Sequence, residues 1–157
     1  ISAVQIQRGD IVQTIRDLQN KYKFNATDVE LEVTESVLIE FPEKAVDVLN
    51  EVRQLGLTVA LDDFGTGFSS LSNLKRYPIT TIKIDKSFVL DILDDANDAA
   101  ITRAVVAMGR SLDMQVVAEG VETAEHVKYL QELGCHQAQG YFYSRPVPAD
   151  EFNKKFL

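Results

Sequence analysis

The chain has 157 residues, 45% hydrophobic and 25% charged, which suits one globular domain and is too short for two. Its 24 acidic against 16 basic residues give a net charge of −8, which argues against non-specific binding to DNA or RNA, since that needs a basic face. A single cysteine, Cys135, excludes an intrachain disulfide framework; it reads as a small packed side chain in a reducing, cytoplasmic setting. No apolar run approaches membrane-spanning length, and no signal-peptide pattern is present. The chain opens on Ile1 within an apolar–polar pattern, so a piece cut from something longer is expected.

Helix and strand patterns then alternate with short connections and no linker. Residues 9–23 carry helical spacing at Ile11, Ile15, Leu18 and Tyr22, and Val29–Thr34 alternates as a strand. Pro42 opens a helix whose stripe is Ala45, Val48, Leu49 and Val52, ending before Gly56. Leu57–Leu61 is a strand, Leu71–Arg76 a short helix, and Thr81–Asp85 a further strand. A longer connection through Ser87–Asp98 leads to a helix over 99–112 and a strand at Gln115–Ala118. Thr123–Leu133 is helical, capped by Thr123 and closed by Gly134. His136–Tyr143 is the last strand, with His136 at its start, and a short helix covers about 149–156. His126 falls on the helix surface, without metal-ligand spacing to His136. Repeated helix–strand units predict an α/β fold with five parallel strands. Eight close a barrel, so the fold is part of a (β/α)₈ barrel or an open doubly wound sheet.

The strand ends carry the chemistry. Glu32 and Glu35 end the first strand, and Asp62 and Asp63 the second. Lys83 and Asp85 end the third, Glu119 and Glu122 the fourth, and the fifth carries Gln139 before Gly140. One charged strand end is an ordinary helix cap, but five in succession on apolar strands exceed what capping explains. In a parallel sheet these ends meet on one face, where ligand sites form. Glu32, Asp62, Asp63 and Glu119 offer hard oxygens suited to Mg²⁺ or Mn²⁺, and a bridged pair of ions is the usual clamp for cleaving a phosphodiester. Lys83 would hold the nucleophilic water or face developing negative charge. A Schiff-base role for Lys83 in another barrel enzyme is the competing chemistry.

Five motifs in order now carry a resemblance. They are Leu31-Glu32-Val33-Thr34-Glu35, Leu61-Asp62-Asp63-Phe64-Gly65-Thr66-Gly67-Phe68-Ser69-Ser70-Leu71, Ile82-Lys83-Ile84-Asp85, Ala118-Glu119-Gly120-Val121-Glu122 and Gln139-Gly140-Tyr141. Together they resemble the bacterial EAL-domain phosphodiesterases that hydrolyse cyclic di-GMP to the linear dinucleotide. The resemblance implies a partial (β/α)₈ barrel over residues 1–157 and a two-metal Mg²⁺ or Mn²⁺ site. Glu32 and Asp62 would take the first ion, and Asp62, Asp63 and Glu119 the second. Lys83, Glu119 and Glu122 would be catalytic, with Lys83 on the water. Gln139 and Asp85 would face the substrate, and Glu35 would anchor loop 64–70, which implies dimer or regulatory-domain contacts. Phe68 stands where tyrosine is also common. The family's Glu-Ala-Leu motif and its asparagine ligand are absent from these residues, so the metal site is expected to be incomplete and the chain inactive alone. A degenerate cyclic di-GMP receptor is the alternative, although such a protein has no need of Asp62, Asp63, Lys83 and Glu119.

Overall fold

A computed structural model of the chain describes residues 1–8, 10–65, 74–135 and 137–157. Its elements run α1 (Ala3–Arg8), α2 (Ile11–Tyr22), β1 (Glu30–Thr34), α3 (Glu35–Glu40), α4 (Pro42–Gln54), β2 (Thr58–Phe64), β3 (Thr81–Ile84), α5 (Lys86–Leu90), α6 (Ala96–Ser111), β4 (Gln115–Ala118), α7 (Ala124–Leu133), β5 (Gln137–Ala138) and α8 (Ala149–Phe156). The strands form one parallel sheet in the order β1-β2-β3-β4-β5. That order never reverses. A doubly wound sheet needs a reversal point, so the winding is that of a barrel.

The register explains why the sheet has two unlike faces. Paired residues share a face and alternate residues oppose each other. Glu32 pairs with Ala60, Thr34 with Asp62, Ala60 with Thr81, Lys83 with Val117, and Val117 with Gln137. One face therefore carries Glu30, Glu32, Asp62, Thr81, Lys83, Gln115 and Gln137. The other carries Leu31, Val33, Val59, Leu61, Ile82, Ile84, Val116 and Ala118. On the polar face, below the strand ends, Thr81 Oγ1 donates to Glu30 Oε2 at 2.6 Å and Gln137 Nε2 donates to Gln115 Oε1 at 3.0 Å.

The apolar face is where the helices pack. Right-handed crossovers between neighbouring parallel strands, taken always in one direction, bring the crossover helices to the same side. α4 starts on Pro42, whose missing N–H is not needed in a first turn, and buries Ala45, Val48, Leu49 and Val52. α6 buries Thr102, Val105, Val106 and Gly109 and packs on β3 and β4. A Cβ on Gly109 would lie 2.3 Å from Val116 Cγ2, so the helix approaches the strand closer than alanine allows.

The structure corrects several expectations. α3 follows β1 directly and was not anticipated, and α5 lies within the segment read as a connection. β5 covers only Gln137–Ala138 rather than 136–143, and the chain turns at Tyr141–Tyr143. His126 is 6% exposed and belongs to the buried set, not to the helix surface. The first half of the short helix expected at 71–76 lies outside the described residues, as do His136 and Phe68.

Cys135 is buried, its thiol donating to the carbonyls of Val116 and Gln137 at 3.4 Å each. Burial pushes the thiol pKa above its ordinary value near 9, more than backbone hydrogen bonding at Gln137 and Ala118 pulls it down. The native thiol is therefore expected to resist Ellman's reagent at about pH 8 and to react fully in denaturant. Because the folded thiol holds its proton more tightly, its contribution to stability is complete below about pH 9 and is lost as pH rises through the folded value. Replacing Cys135 with serine should remove that alkaline loss, read from urea midpoints above and below pH 9.

Candidate metal and hydrolytic site

Lys83 organises the polar face. Its residue is 6% exposed, and Nζ lies 2.5 Å from Glu32 Oε1, 2.7 Å from Glu119 Oε1 and 3.1 Å from Asp62 Oδ1. These carboxylates come from β1, from β2 and from just beyond β4, flanking the strand that carries the lysine. An ammonium buried without partners would be strongly disfavoured, and here carboxylates on either side supply them. Gln139, just past β5, donates Nε2 to the same Glu119 Oε1 at 2.5 Å.

Strand alternation alone would send Asp63 to the helix-packed face, away from Asp62. The backbone prevents this: Asp63 has a left-handed φ of +54° and the β2–β3 register shifts between Leu61 and Phe64. Such a conformation costs about 1 kcal/mol in a non-glycine residue. It brings carboxylate oxygens of Asp62, Asp63 and Glu119 within 4.8 Å of one another.

The charges respond to this crowding. Burial pushes the Lys83 ammonium down, but its contacts with Glu119, Glu32 and Asp62 outweigh burial and leave the pKa above the ordinary lysine value. A lysine held so firmly charged is a poor amine nucleophile, which argues against the Schiff-base chemistry. The Glu119 pKa is raised by burial and by the charges of Asp62 and Glu32, with Lys83 pulling the other way. Asp63 is likewise raised by burial and by neighbouring Asp62 and Asp85. The cluster thus has more negative charge than one lysine neutralises.

That excess, and one atom within it, test the fit of a divalent cation. Among the described residues Asp62 Oδ1 is buried and meets Lys83 Nζ at 3.1 Å as an ion pair, with no hydrogen bond of its own. A buried carboxylate oxygen with no hydrogen bond, beside two further hard-oxygen donors, suits Mg²⁺ or Mn²⁺. The residues fit.

The remaining predicted site residues are not among the Lys83 contacts. Asp85 caps α5 by accepting the Ser87 N–H at 2.9 Å; burial raises its carboxyl, but the Ser87 hydroxyl and amide hold it below the usual range. Glu122 is exposed and stands apart from the lysine contacts, on the wall of a depression of about 790 Å³ that also includes Glu119 and Gln139. Glu35 is buried at 3% exposure in the first turn of α3, and loop residues 66–70 lie outside the described ones. The same depression is lined by Lys86, Tyr141 and Arg145, with the Arg145 guanidinium 4.4 Å from the Tyr141 ring centre. These three were not anticipated. The run Tyr141-Phe142-Tyr143 looked like continuing strand, and the only hint of a turn was Gly140. A Cβ at Gly140 would fall 2.2 Å from the Val121 carbonyl oxygen, so the Gln139–Tyr141 backbone lies directly on the Glu119–Glu122 segment.

Comparison with known proteins identifies the family. A family model for the EAL domain matches residues 1–146. The signaling protein YkoW of Bacillus subtilis (strain 168) is 46% identical over 154 residues, covering 98% of this chain and 19% of that protein. The solved PaMucR phosphodiesterase in complex with c-di-GMP superposes with a TM-score of 0.93 at 38% identity, covering 97% of this chain and 62% of that one. A manganese/cy-diGMP complex of Klebsiella pneumoniae BlrP1 gives a TM-score of 0.80 at 38% identity, covering 87% of this chain and 35% of that one. The chain spans about a fifth of the length of the curated relatives it matches. Its five parallel strands and their helices are the TIM-barrel-type α/β fold of these solved neighbours. From the ordered motifs, the matching family model and the shared fold, the chain belongs to the EAL domain family.

Proposed function

We propose that this chain forms the metal-binding rim of a phosphodiesterase that hydrolyses one bond of cyclic di-GMP to give linear pGpG. The observation that carries the reading is the contact of Lys83 with Glu32, Asp62 and Glu119, with Asp63 drawn in beside them. Its likeness to a phosphodiesterase bound to c-di-GMP supports the substrate.

A divalent ion, Mg²⁺ or Mn²⁺, held by Asp62, Asp63 and Glu119 with Glu32 alongside, would polarise the phosphoryl oxygens and ease deprotonation of water. Lys83 keeps its ammonium charged throughout the neutral range and presents it to developing negative charge on the phosphate. Gln139 fixes the direction of Glu119 Oε1 through its 2.5 Å bond. The depression next to Glu119 supplies Lys86 and Arg145 as cations and Tyr141 as a flat face, suited to an anionic, base-bearing substrate. On this reading the partners are cyclic di-GMP and either a second copy or a regulatory domain of the same cytoplasmic protein. No helix among the described residues is long and apolar enough to cross a membrane.

Metal binding is tested by thermal unfolding at pH 7.5. Mn²⁺ at a hundred times its dissociation constant should stabilise the chain by about 2.7 kcal/mol, a Tm rise of roughly 5–10 °C. Asp62→Asn and Asp63→Asn should each abolish most of that rise. The ion competes with protons on Glu119 and Asp63, whose pKa values are raised, so the shift should shrink as pH falls toward 5. A Tm unmoved by Mn²⁺ in the unaltered chain would count against the site.

Turnover is tested by product analysis with cyclic di-GMP and Mn²⁺. The 157-residue chain covers 62% of the solved phosphodiesterase chain, and on this reading a longer EAL-containing chain, able to offer the ion further ligands, should hydrolyse at least tenfold faster. In that longer protein Lys83→Met should lower kcat by at least about 10²-fold, the usual effect of removing a group aimed at developing charge. Tight binding without any cleavage would instead make the domain a receptor.

A further inference from the structure

His126 is buried in the first turn of α7, and the hydrolytic site described above gives it no part. The first N–H groups of a helix have no partner within the helix and must find one elsewhere. Thr123 Oγ1 accepts the His126 N–H at 3.1 Å, and the His126 ring reaches back so that Nδ1 accepts the Glu122 N–H at 3.5 Å. This is a reciprocal capping box with a histidine where glutamate or glutamine is usual, its return bond displaced one residue toward the site. An accepting Nδ1 requires the neutral ring with its proton on Nε2.

The return bond falls on the segment that carries the site. At its start, the Glu119 N–H donates to the Ile84 carbonyl at 3.1 Å, tying the segment to β3. In its middle, the Val121 N–H donates to the Gln139 carbonyl at 3.1 Å, and the Val121 carbonyl accepts the Phe142 N–H at 2.9 Å. At its end, the tie is His126. We propose that His126 is a positioning residue: through the Glu122 backbone it fixes the far end of segment 119–122, and with it the aim of Glu119 and Glu122. The functional consequence rests on the hydrolytic reading of the rim, whereas the tie itself does not.

Two substitutions separate positioning from packing. His126→Gln keeps an acceptor suited to the third position of a capping box, and His126→Phe fills the ring's volume without one. Packing alone predicts that phenylalanine is tolerated and glutamine is not; positioning predicts the reverse. Amide hydrogen exchange at Glu122 in the 157-residue chain should accelerate at least about tenfold in His126→Phe and stay within about threefold in His126→Gln. In a longer EAL-containing chain, kcat for cyclic di-GMP should fall about tenfold or more in His126→Phe with KM within about twofold, and His126→Gln should restore it. His126→Leu serves as a second acceptor-free variant should the phenylalanine protein not fold. Unchanged Glu122 exchange in a folded acceptor-free variant, or equal damage from glutamine, would overturn the proposal. Absence of both Mn²⁺ binding and hydrolysis in unaltered protein would sink the hydrolytic reading instead, and the exchange experiment would still decide the tie.

Discussion

One ammonium among carboxylates from neighbouring strands is the constraint on which the structure depends. Lys83 reaches Glu32, Asp62 and Glu119 only because β1 to β4 pair in a register that puts all four side chains on one face. A slip of one residue would turn Lys83 into the helix-packed face and bring Ile82 or Ile84 to the rim. The same register gives the helices an uninterrupted apolar surface at Val59, Leu61, Ile82 and Val116. Core and site are thus two faces of one pairing pattern, and neither can shift without the other.

The charge balance of that cluster is deliberately unequal. Counting Glu32, Asp62, Asp63 and Glu119 against Lys83 gives four possible negative charges and one positive, a formal balance of −3. Raised pKa values at Glu119 and Asp63 are how the protein alone accommodates the surplus. A divalent cation would accommodate it without protonation, and Asp62 Oδ1, held by its ion pair with Lys83 but by no hydrogen bond among the described residues, is an oxygen open to such an ion. Backbone features do the aiming. The left-handed Asp63 adds a carboxylate that strand geometry would have withheld, and Gly140 lets the Gln139 turn rest on the Val121 backbone.

Much of this was legible in the amino-acid order, for local reasons. Pro42, Thr123 and Gly134 start, cap and stop helices where a proline, a hydroxyl and a left-handed glycine would be expected to. The strand-end acids, Lys83 and Gln139 were found because polar residues interrupted apolar strands, and parallel strands bring such interruptions together. What escaped left no mark in periodicity or capping residues. Strand order decided between a barrel-type sheet and a doubly wound one, and no local pattern records it. The aromatic run at 141–143 has strand character, but the packing of Gly140 on Val121 turns the chain there. α3 follows β1 at Thr34–Glu35 without a glycine or proline to announce the change. His126 looked like a surface residue because its burial and its bond to Glu122 arise from the loop folding back on its own helix.

The most direct test is an anomalous difference map from crystals of the chain grown with Mn²⁺. The account predicts a peak within coordinating distance, about 2.0–2.3 Å, of oxygens from Asp62, Asp63 and Glu119, with Asp62 Oδ1 among them. A well-occupied ion bound elsewhere, with Lys83 still holding Glu32, Asp62 and Glu119 and no peak between the carboxylates, would contradict it.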